Sequence, residues 1–239
     1  MKDDMKTEIR SFATPVTLVG GGALGADDLA AALALAPGLI AADGGAAAAL
    51  SAGHMPEAVI GDFDSLSRAD RDRIPPERLF PISEQESTDF DKIMRTVSAP
   101  LMLGVGFLGA RVDHQLAAFN TLVRHPAQRC VLIGPREVVF HAPPRLALDL
   151  APGAIVSLFP MRRLTGRSQG LEWPIDGLDL APDGRVGTSN RALGAVRIET
   201  DAPGLLVIVP RSALGAVTRA LAPGAVATAP TPGPGPARA

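Results

Sequence analysis

Between residues 16 and 134, short apolar runs alternate with helical patterns, and this alternation limits the fold more than any other feature of the chain. It is typical of repeated βα units, in which helices cover parallel strands. The runs predict strands at residues 16–19, 39–42, 58–60, 79–82, 101–107 and 130–133. We therefore expect an α/β fold that begins with a Rossmann-like parallel sheet with helices on both faces.

Two helices of this region can be placed from residue spacing. Thr88 is the predicted N-cap of one helix, because an acidic residue follows three positions later. The apolar stripe of that helix consists of Phe90, Ile93, Met94 and Val97. A second helix follows Arg111. Its predicted apolar side consists of Leu116, Phe119 and Val123.

After Gly134 the pattern changes to strand-like pieces separated by Pro and Gly turns, with no helical pattern between them. The predicted strands are residues 137–141, 146–150, 154–159, 195–200 and 205–209. We expect a smaller, sandwich-like all-β C-terminal domain at residues 137–220. It follows an N-terminal extension (1–15) and the α/β domain (16–136), and precedes a Pro-, Gly- and Ala-rich tail (221–239) that is predicted to be disordered.

Charge balance and cysteine content exclude several classes of protein. The 23 basic and 25 acidic residues give a formal charge of −2, which favours neither nucleic acid nor an anionic membrane as a partner. No apolar run approaches the ~20 residues that span a bilayer, and the charged N-terminus does not resemble a signal peptide. Cys130 is the only cysteine, so no internal disulfide can form and a cytoplasmic location is expected.

Ligands bind at the carboxyl ends of the strands in an open parallel sheet. Five successive predicted strand ends carry glycine, carboxylate or both, at residues 20–25, 43–45, 61–65, 84–89 and 109–114. Gly20, Gly22 and Gly25 satisfy the pattern G-x-G-x-x-G. Asp43 follows 18 residues after the last of them, which is near the spacing of a dinucleotide site. An NAD(P)-binding oxidoreductase is therefore one interpretation.

The carboxylates at these strand ends argue against a plain dinucleotide site. Like charges 4 Å apart repel by about 4 kcal/mol at an effective dielectric constant of about 20, and a cation would reverse the sign. Because no His or Cys is clustered with the acids, the pattern favours Mg²⁺ with a polyphosphate. Asp62 and Asp64 are the sharpest pair, since alternate side chains of an extended segment point the same way. The alternative is an Asx turn that caps the next helix at Ser65 or Ser67.

For four other residues, an ordinary structural role is an alternative to the functional one. Arg111 either contacts phosphate or forms a surface ion pair with Asp113. Asp89 favours a helix N-terminus whether or not it binds a metal. A solvated side chain is the default for Lys92, and a structural hydrogen bond explains His114 at least as well as catalysis does.

Segments 42–45, 61–65, 85–92 and 109–116 together resemble the thiamine pyrophosphokinase family. The first two read Ala42-Asp43-Gly44-Gly45 and Gly61-Asp62-Phe63-Asp64-Ser65. The third contains Gln85, Thr88-Asp89-Phe90 and Lys92, and the fourth contains Gly109, Arg111, Asp113, His114 and Leu116. Residues 170–174, 189–190 and 205–209 resemble the family's C-terminal domain. The chain departs from the pattern at Glu84 and Glu86, where aspartates are common, and at Ala118, where asparagine is frequent.

The resemblance implies transfer of the pyrophosphoryl group of ATP to the hydroxyl of thiamine, which gives thiamine diphosphate and AMP. It implies a homodimer whose thiamine site lies between the α/β half of one subunit and the β half of the other. Asp62, Asp64 and Asp89 would hold Mg²⁺, and with Arg111 and Asp113 they form the implied catalytic set. The implied nucleotide- and thiamine-binding residues are Gly22, Asp43, Gly44, Gln85, Thr88, Lys92, Trp173, Ser189 and Asn190.

Three other functions stay open from sequence. A pyrophosphokinase acting on another alcohol, such as a hydroxymethylpterin, would differ only in its acceptor pocket. An NAD(P)-dependent oxidoreductase would use the glycine motif, and a non-catalytic thiamine or nucleotide sensor would keep the acids as structural groups. Trp173 fits the β-domain core as well as a thiamine pocket, and Ser189 and Asn190 fit a turn as well as a substrate contact.

Overall fold

Residues 8–222 are described by this computed structural model and contain fifteen β-strands and six α-helices in a mixed α/β fold. The strands are β1 (Arg10–Ser11), β2 (Val16–Val19), β3 (Gly38–Ala42), β4 (Ala58–Gly61), β5 (Leu79–Pro81), β6 (Val97–Ser98), β7 (Met102–Val105), β8 (Cys130–Ile133), β9 (Glu137–His141), β10 (Arg145–Asp149), β11 (Ile155–Pro160), β12 (Leu164–Leu171), β13 (Asp179–Leu180), β14 (Gly187–Thr200) and β15 (Leu205–Pro210). The helices are α1 (Asp28–Leu35), α2 (Gly45–Ser51), α3 (Arg68–Arg71), α4 (Asp89–Thr96), α5 (Val112–Arg124) and α6 (Leu214–Leu221).

Both predicted terminal segments extend beyond this description. Residues 1–7 of the N-terminal extension and residues 223–239 of the predicted disordered tail lie outside it. The described part of the extension includes β1, which pairs in parallel with β6. Within residues 8–222, no helix has both the length and the hydropathy needed to cross a membrane.

Six parallel strands form the N-terminal part of the main sheet, in the order β8-β7-β2-β3-β4-β5. Strands β3, β4 and β5 follow one another on the β2 side of the β2–β7 pair, and β8 lies on the β7 side. The carboxyl ends of β2 and β7 therefore mark a topological switch point. Crevices at such points are where ligands bind in open α/β sheets. The parallel strands predicted from sequence are all present, and their ends differ by at most two residues from the predicted ones.

Alternate residues of these strands are buried on opposite faces of the sheet. Leu18, Ile40 and Ile60 pack in one apolar cluster with residues of α4 and α5. Val19 and Ala41 pack in the other cluster with residues of α1 and α2. Helices therefore cover both faces, which explains why the strands are near-continuous apolar runs.

Of the two helices predicted by spacing, one has the expected face and one does not. Thr88 caps α4, since its Oγ1 accepts a hydrogen bond from the Asp91 N–H at 3.2 Å. The predicted apolar side of α5 is wrong at Leu116, which is 59% exposed. The buried residues of α5 include Ala118 and Leu122, which share one face of the helix because they are four positions apart.

The C-terminal half is antiparallel and continues the same sheet. Strand β9 pairs with β8 on one side and with β15 on the other, so main-chain hydrogen bonding runs unbroken from the parallel strands into this half. The 14-residue strand β14 pairs with β10, β11 and β12. The predicted all-β segment also holds α6, which packs against β10.

The loops that follow β2 and β7 cross at a distance that only glycine permits. The Gly22 N–H donates to the Gly106 carbonyl at 2.9 Å. A Cβ at Gly22 would lie 2.6 Å from that same carbonyl oxygen, whereas a Cβ at Gly21 would meet nothing nearer than 3.7 Å. The switch-point crevice is therefore bounded by a tight crossing of main chain.

We expect Gly22→Ala to destabilise the protein by about 1–3 kcal/mol, because backbone must move to admit the methyl group. In a chain of this size the melting temperature falls by about 2–4 °C per kcal/mol. Gly21→Ala is the matched control and should melt close to the wild type. Thermal denaturation followed by circular dichroism measures both, and equal melting temperatures for the two variants would contradict the close crossing.

His141 at the end of β9 is a largely buried base that accepts a main-chain hydrogen bond. Its Nε2 accepts from the Gly204 N–H at 2.9 Å, which requires an unprotonated nitrogen. Burial, with a smaller contribution from the charge of Arg162, holds the pKa of His141 below its ordinary value of 6.5.

This lowered pKa predicts a loss of stability in mild acid. Below about pH 6.5 the unfolded chain binds a proton at His141 that the folded protein does not bind. The free energy of unfolding therefore decreases as the pH is lowered, until the folded-state pKa is reached. In His141→Gln, which keeps an acceptor and does not titrate, the decline between about pH 7 and pH 5 should be shallower. Urea denaturation at several pH values gives the slopes; the exposed His54→Gln variant, which should keep the wild-type slope, is the control.

Candidate active site

A cleft of about 650 Å³ lies at the carboxyl ends of β2, β3, β4 and β7, at the switch point. The sequence-predicted site residues that line it are Gly22, Asp43, Gly44, Asp62, Asp64, Gln85, Thr88, Asp89, Lys92 and Arg111. His114 and Ala118 also contribute to its wall. The fold therefore brings together residues from widely separated parts of the chain at one edge of the sheet.

Three carboxylates converge inside the cleft. One oxygen each of Asp43, Asp62 and Asp64 lies within 4.8 Å of the others. Asp43 follows β3 with φ of +40°, and its carboxylate accepts a hydrogen bond from Ser65 in the loop after β4. The family resemblance implies Asp62, Asp64 and Asp89 as the metal-binding set and Asp43 as a substrate contact.

Asp43 is 3% exposed and only partly satisfied. Its Oδ2 accepts a hydrogen bond from the Ser65 N–H at 3.1 Å, but its buried Oδ1 has no hydrogen-bond partner among residues 8–222. Burial raises the pKa of Asp43 to about 6, and the neighbouring charges of Asp89 and Asp64 act in the same direction. A nearby cation would favour the ionised carboxylate.

The Asp62–Asp64 segment is a turn, and the extended conformation expected for it is wrong. Phe63 has φ of +65°. The Asp64 N–H donates to Asp62 Oδ1 at 3.3 Å, so the Asx turn considered as an alternative is present. The turn nevertheless leaves both carboxylates beside Asp43, while Phe63 packs against the core and beneath the guanidinium of Arg71.

Lys92 is buried, which overturns the expectation of a solvated side chain. It is 1% exposed, and its Nζ lies 2.9 Å from Asp89 Oδ1. The two residues are three positions apart on α4, so they meet on one helix face. Burial raises the pKa of Asp89 even though the bond to Lys92 opposes the shift. The helix thus brings one positive charge to the cluster of acids.

The loop before α4 holds Gln85 against the acids. Gln85 Nε2 donates to Asp62 Oδ2 at 2.6 Å, and this bond lowers the pKa of Asp62. Glu84, which stands where the family pattern has aspartate, turns back into its own loop. Its carboxylate accepts from the N–H and hydroxyl of Ser87 and forms an ion pair with Arg95. Glu84 therefore shapes the loop and does not point at the carboxylate cluster.

Arg111 and Asp113 form the surface ion pair considered from sequence. Arg111 Nε donates to Asp113 Oδ1 at 3.1 Å, and the two side chains are 67% and 64% exposed. Hydrogen bonding to Arg111 lowers the pKa of Asp113. Arg111 lines the cleft, but Asp113 is absent from its lining.

A second cavity of about 290 Å³ lies in the antiparallel half and is lined by Trp173, Asn190 and neighbouring residues. Trp173 is 52% exposed, so it is not a core residue. Ser189, also predicted as a substrate contact, does not line either cavity. Within residues 8–222, the two cavities share no lining residue.

Several cleft residues were not singled out from sequence. Ser65, Ser87 and Phe107 line the cleft. Both serines lie within predicted acidic loops, 61–65 and 84–89, and that position is the signal available from sequence. Phe107 was assigned to a strand that ends two residues earlier, before Gly106 turns the chain with φ of +75°.

Comparison with known proteins agrees with both halves of the fold. Residues 30–133 match the model of the thiamin pyrophosphokinase catalytic domain, and residues 142–205 match that of the thiamin pyrophosphokinase vitamin B1 binding domain. Thiamine pyrophosphokinase 1 of Arabidopsis thaliana is 24% identical over an alignment of 156 residues, and the match covers 57% of this chain and 58% of that protein's length.

Solved structures share the overall fold. Thiamin pyrophosphokinase from Geobacillus thermodenitrificans aligns with 82% of this chain and 96% of its own, at 20% identity and a TM-score of 0.67. The enzyme from Candida albicans aligns with 88% and 95%, at 15% identity and a TM-score of 0.69. Because two domain models of one family match in order and together cover most of the sequence, the chain belongs to the thiamin pyrophosphokinase family.

Proposed function

We propose that this protein transfers the pyrophosphoryl group of ATP to the hydroxyl of thiamine, giving thiamine diphosphate and AMP. Membership of the family supports the reaction. The observation in the structure that carries the proposal is the buried Oδ1 of Asp43, which lies beside Asp62 and Asp64 and has no hydrogen-bond partner within the described part of the chain. An all-oxygen donor set of this kind suits Mg²⁺ accompanied by substrate phosphates.

The residues present fit Mg²⁺. Asp62 and Asp64 would hold it with Asp43, and Asp89 would complete the ring of carboxylates from the base of α4. Bound Mg²⁺ would neutralise charge on the phosphate chain of ATP. Gln85 orients Asp62 by a direct hydrogen bond, and Lys92 keeps Asp89 in place.

We assign ATP binding to the α/β half, residues 16–136, as a Rossmann-like nucleotide fold. Gly20, Gly21 and Gly22 after β2 line the cleft without side chains, as does Gly44 after β3, so this part of the cleft has room for a phosphate chain. Arg111, exposed at the mouth of the cleft, would leave Asp113 to contact the phosphate that is transferred. Positioning and electrostatics supply most of the catalysis in such transfers.

We assign thiamine binding to the sandwich-like β half, residues 137–220, around Trp173. An exposed indole face suits the cationic ring of thiamine. Because the two cavities share no lining residue among residues 8–222, a homodimer that joins the cleft of one subunit to the second cavity of its partner would bring the substrates together. We further propose that the dimer works in the cytoplasm, consistent with its single, buried cysteine.

Product analysis by mass spectrometry tests the reaction. With ATP, Mg²⁺ and thiamine, we expect equal amounts of AMP and thiamine diphosphate. Parallel reactions with a hydroxymethylpterin and with NAD(P) identify the alternative activities. No AMP with thiamine at high enzyme concentration, together with nucleotide or thiamine binding, would leave a sensor as the function.

We expect Asp62→Asn to lower kcat by at least ~10²-fold, as for removal of one preorganised charged group. The variant should still fold, because Asp62 is exposed enough to cost little stability when neutralised. Asp72→Asn is the matched control. Asp72 is an exposed acid near the same loop, and its Oδ2 lies 3.9 Å from Arg68 Nε. Steady-state kinetics of the two folded variants measures kcat for each. Near-normal turnover by Asp62→Asn would show that Asp62 is not part of the proposed metal site.

A further inference from the structure

Asn190 in β14 is buried, and its side chain forms hydrogen bonds to the main chain of two other residues. It is 5% exposed. Its Oδ1 accepts from the N–H groups of Trp173 at 3.1 Å and of Arg191 at 2.8 Å. Its Nδ2 donates to the carbonyl of Trp173 at 2.6 Å. The carboxamide thus satisfies both main-chain polar groups of Trp173.

This pairing takes over where the strand ladder ends. Leu171, the last residue of β12, is still in register with Ala192 of β14, and the Glu172 N–H donates to the Arg191 carbonyl at 2.9 Å. At the next residue the Asn190 side chain provides the donor and acceptor that a neighbouring strand would otherwise provide. Trp173 is therefore held in place although it lies beyond the strand.

The indole itself is exposed and oriented. Trp173 lines the second cavity, while the guanidinium of Arg191 lies 5.7 Å from the centroid of its ring. Arg191 is held in turn by Glu172, with 3.4 Å between Nη1 and Oε2. Asn190 fixes the main chain of Trp173, and Arg191 covers part of its ring.

We propose that Asn190 is a positioning residue that acts through Trp173, and not a direct contact to thiamine as its place in the motif implied. It anchors the main chain so that the indole projects into the second cavity. The kinetic part of this proposal rests on the proposed function, since it takes thiamine as the ligand of that cavity. The structural part concerns the free protein alone.

Trp173 is the only tryptophan of the chain, so intrinsic fluorescence reports its environment directly. In substrate-free Asn190→Ala we expect lower fluorescence anisotropy and about twofold stronger quenching by acrylamide, because two main-chain hydrogen bonds are lost. Asn120→Ala, at an exposed asparagine on α5, should match the wild type. Unchanged anisotropy and quenching in Asn190→Ala would overturn the proposal.

The kinetic test compares single and double variants. Asn190→Ala should raise the KM for thiamine about tenfold and leave the KM for ATP within about threefold, which also shows that the variant folds. In a Trp173→Ala background the same change should have little further effect on the KM for thiamine, because residues acting as one unit are not additive. Independent, multiplicative effects would overturn the proposal.

Asn190→Asp separates positioning from direct binding and provides a second variant should the alanine variant unfold. It keeps the acceptor oxygen but cannot donate to the Trp173 carbonyl, so positioning predicts a loss like that of alanine. A direct contact between the Asn190 oxygen and cationic thiamine would keep or improve the affinity in Asn190→Asp, which would contradict positioning. A fluorescence change without any turnover of thiamine would refute the proposed function and leave the positioning role intact.

Discussion

The crowding of negative charge at one edge of the parallel sheet is the constraint on which the rest of the site depends. The loops that follow parallel strands begin at a common edge of the sheet. Acids that follow β3 and β4, and the acid at the start of α4, therefore lie close together there. Such a cluster persists only if neighbouring groups offset its repulsion. Lys92 and Gln85 do part of this by bonding to Asp89 and Asp62. Burial, with a smaller contribution from the neighbouring acids, still raises the pKa of Asp43 and of Asp89.

The gross fold and the location of the site could be predicted from sequence because both follow from local patterns. Apolar runs alternating with helical spacing indicate βα units, and strand ends that carry acids indicate the ligand-binding edge. Thr88 as a helix cap is likewise a local property, and it is confirmed by its bond to the Asp91 N–H. The family resemblance, carried by four short motifs in order, is confirmed by the two domain models.

What sequence could not predict depends on backbone conformation and burial, which tertiary contacts decide. The positive φ values of Asp43 and Phe63 turn the acids together by a route that alternation of side chains does not describe. Lys92 is buried with its partner Asp89 one turn away, and α5 buries Ala118 while Leu116 is exposed. The sequence motif implies a substrate contact for Asn190 and leaves a turn as the alternative, whereas its hydrogen bonds to the main chain of Trp173 depend on tertiary structure.

The continuity of β8, β9 and β15 restricts how the molecule can work. A hinge between two domains needs a joint where few bonds break, whereas bending here would shear a hydrogen-bonded ladder and the packed core on either side of it. The spacing between the cleft and the second cavity is consequently built into the fold as a rigid dimension. Any adjustment to a ligand must come from loops such as residues 84–88.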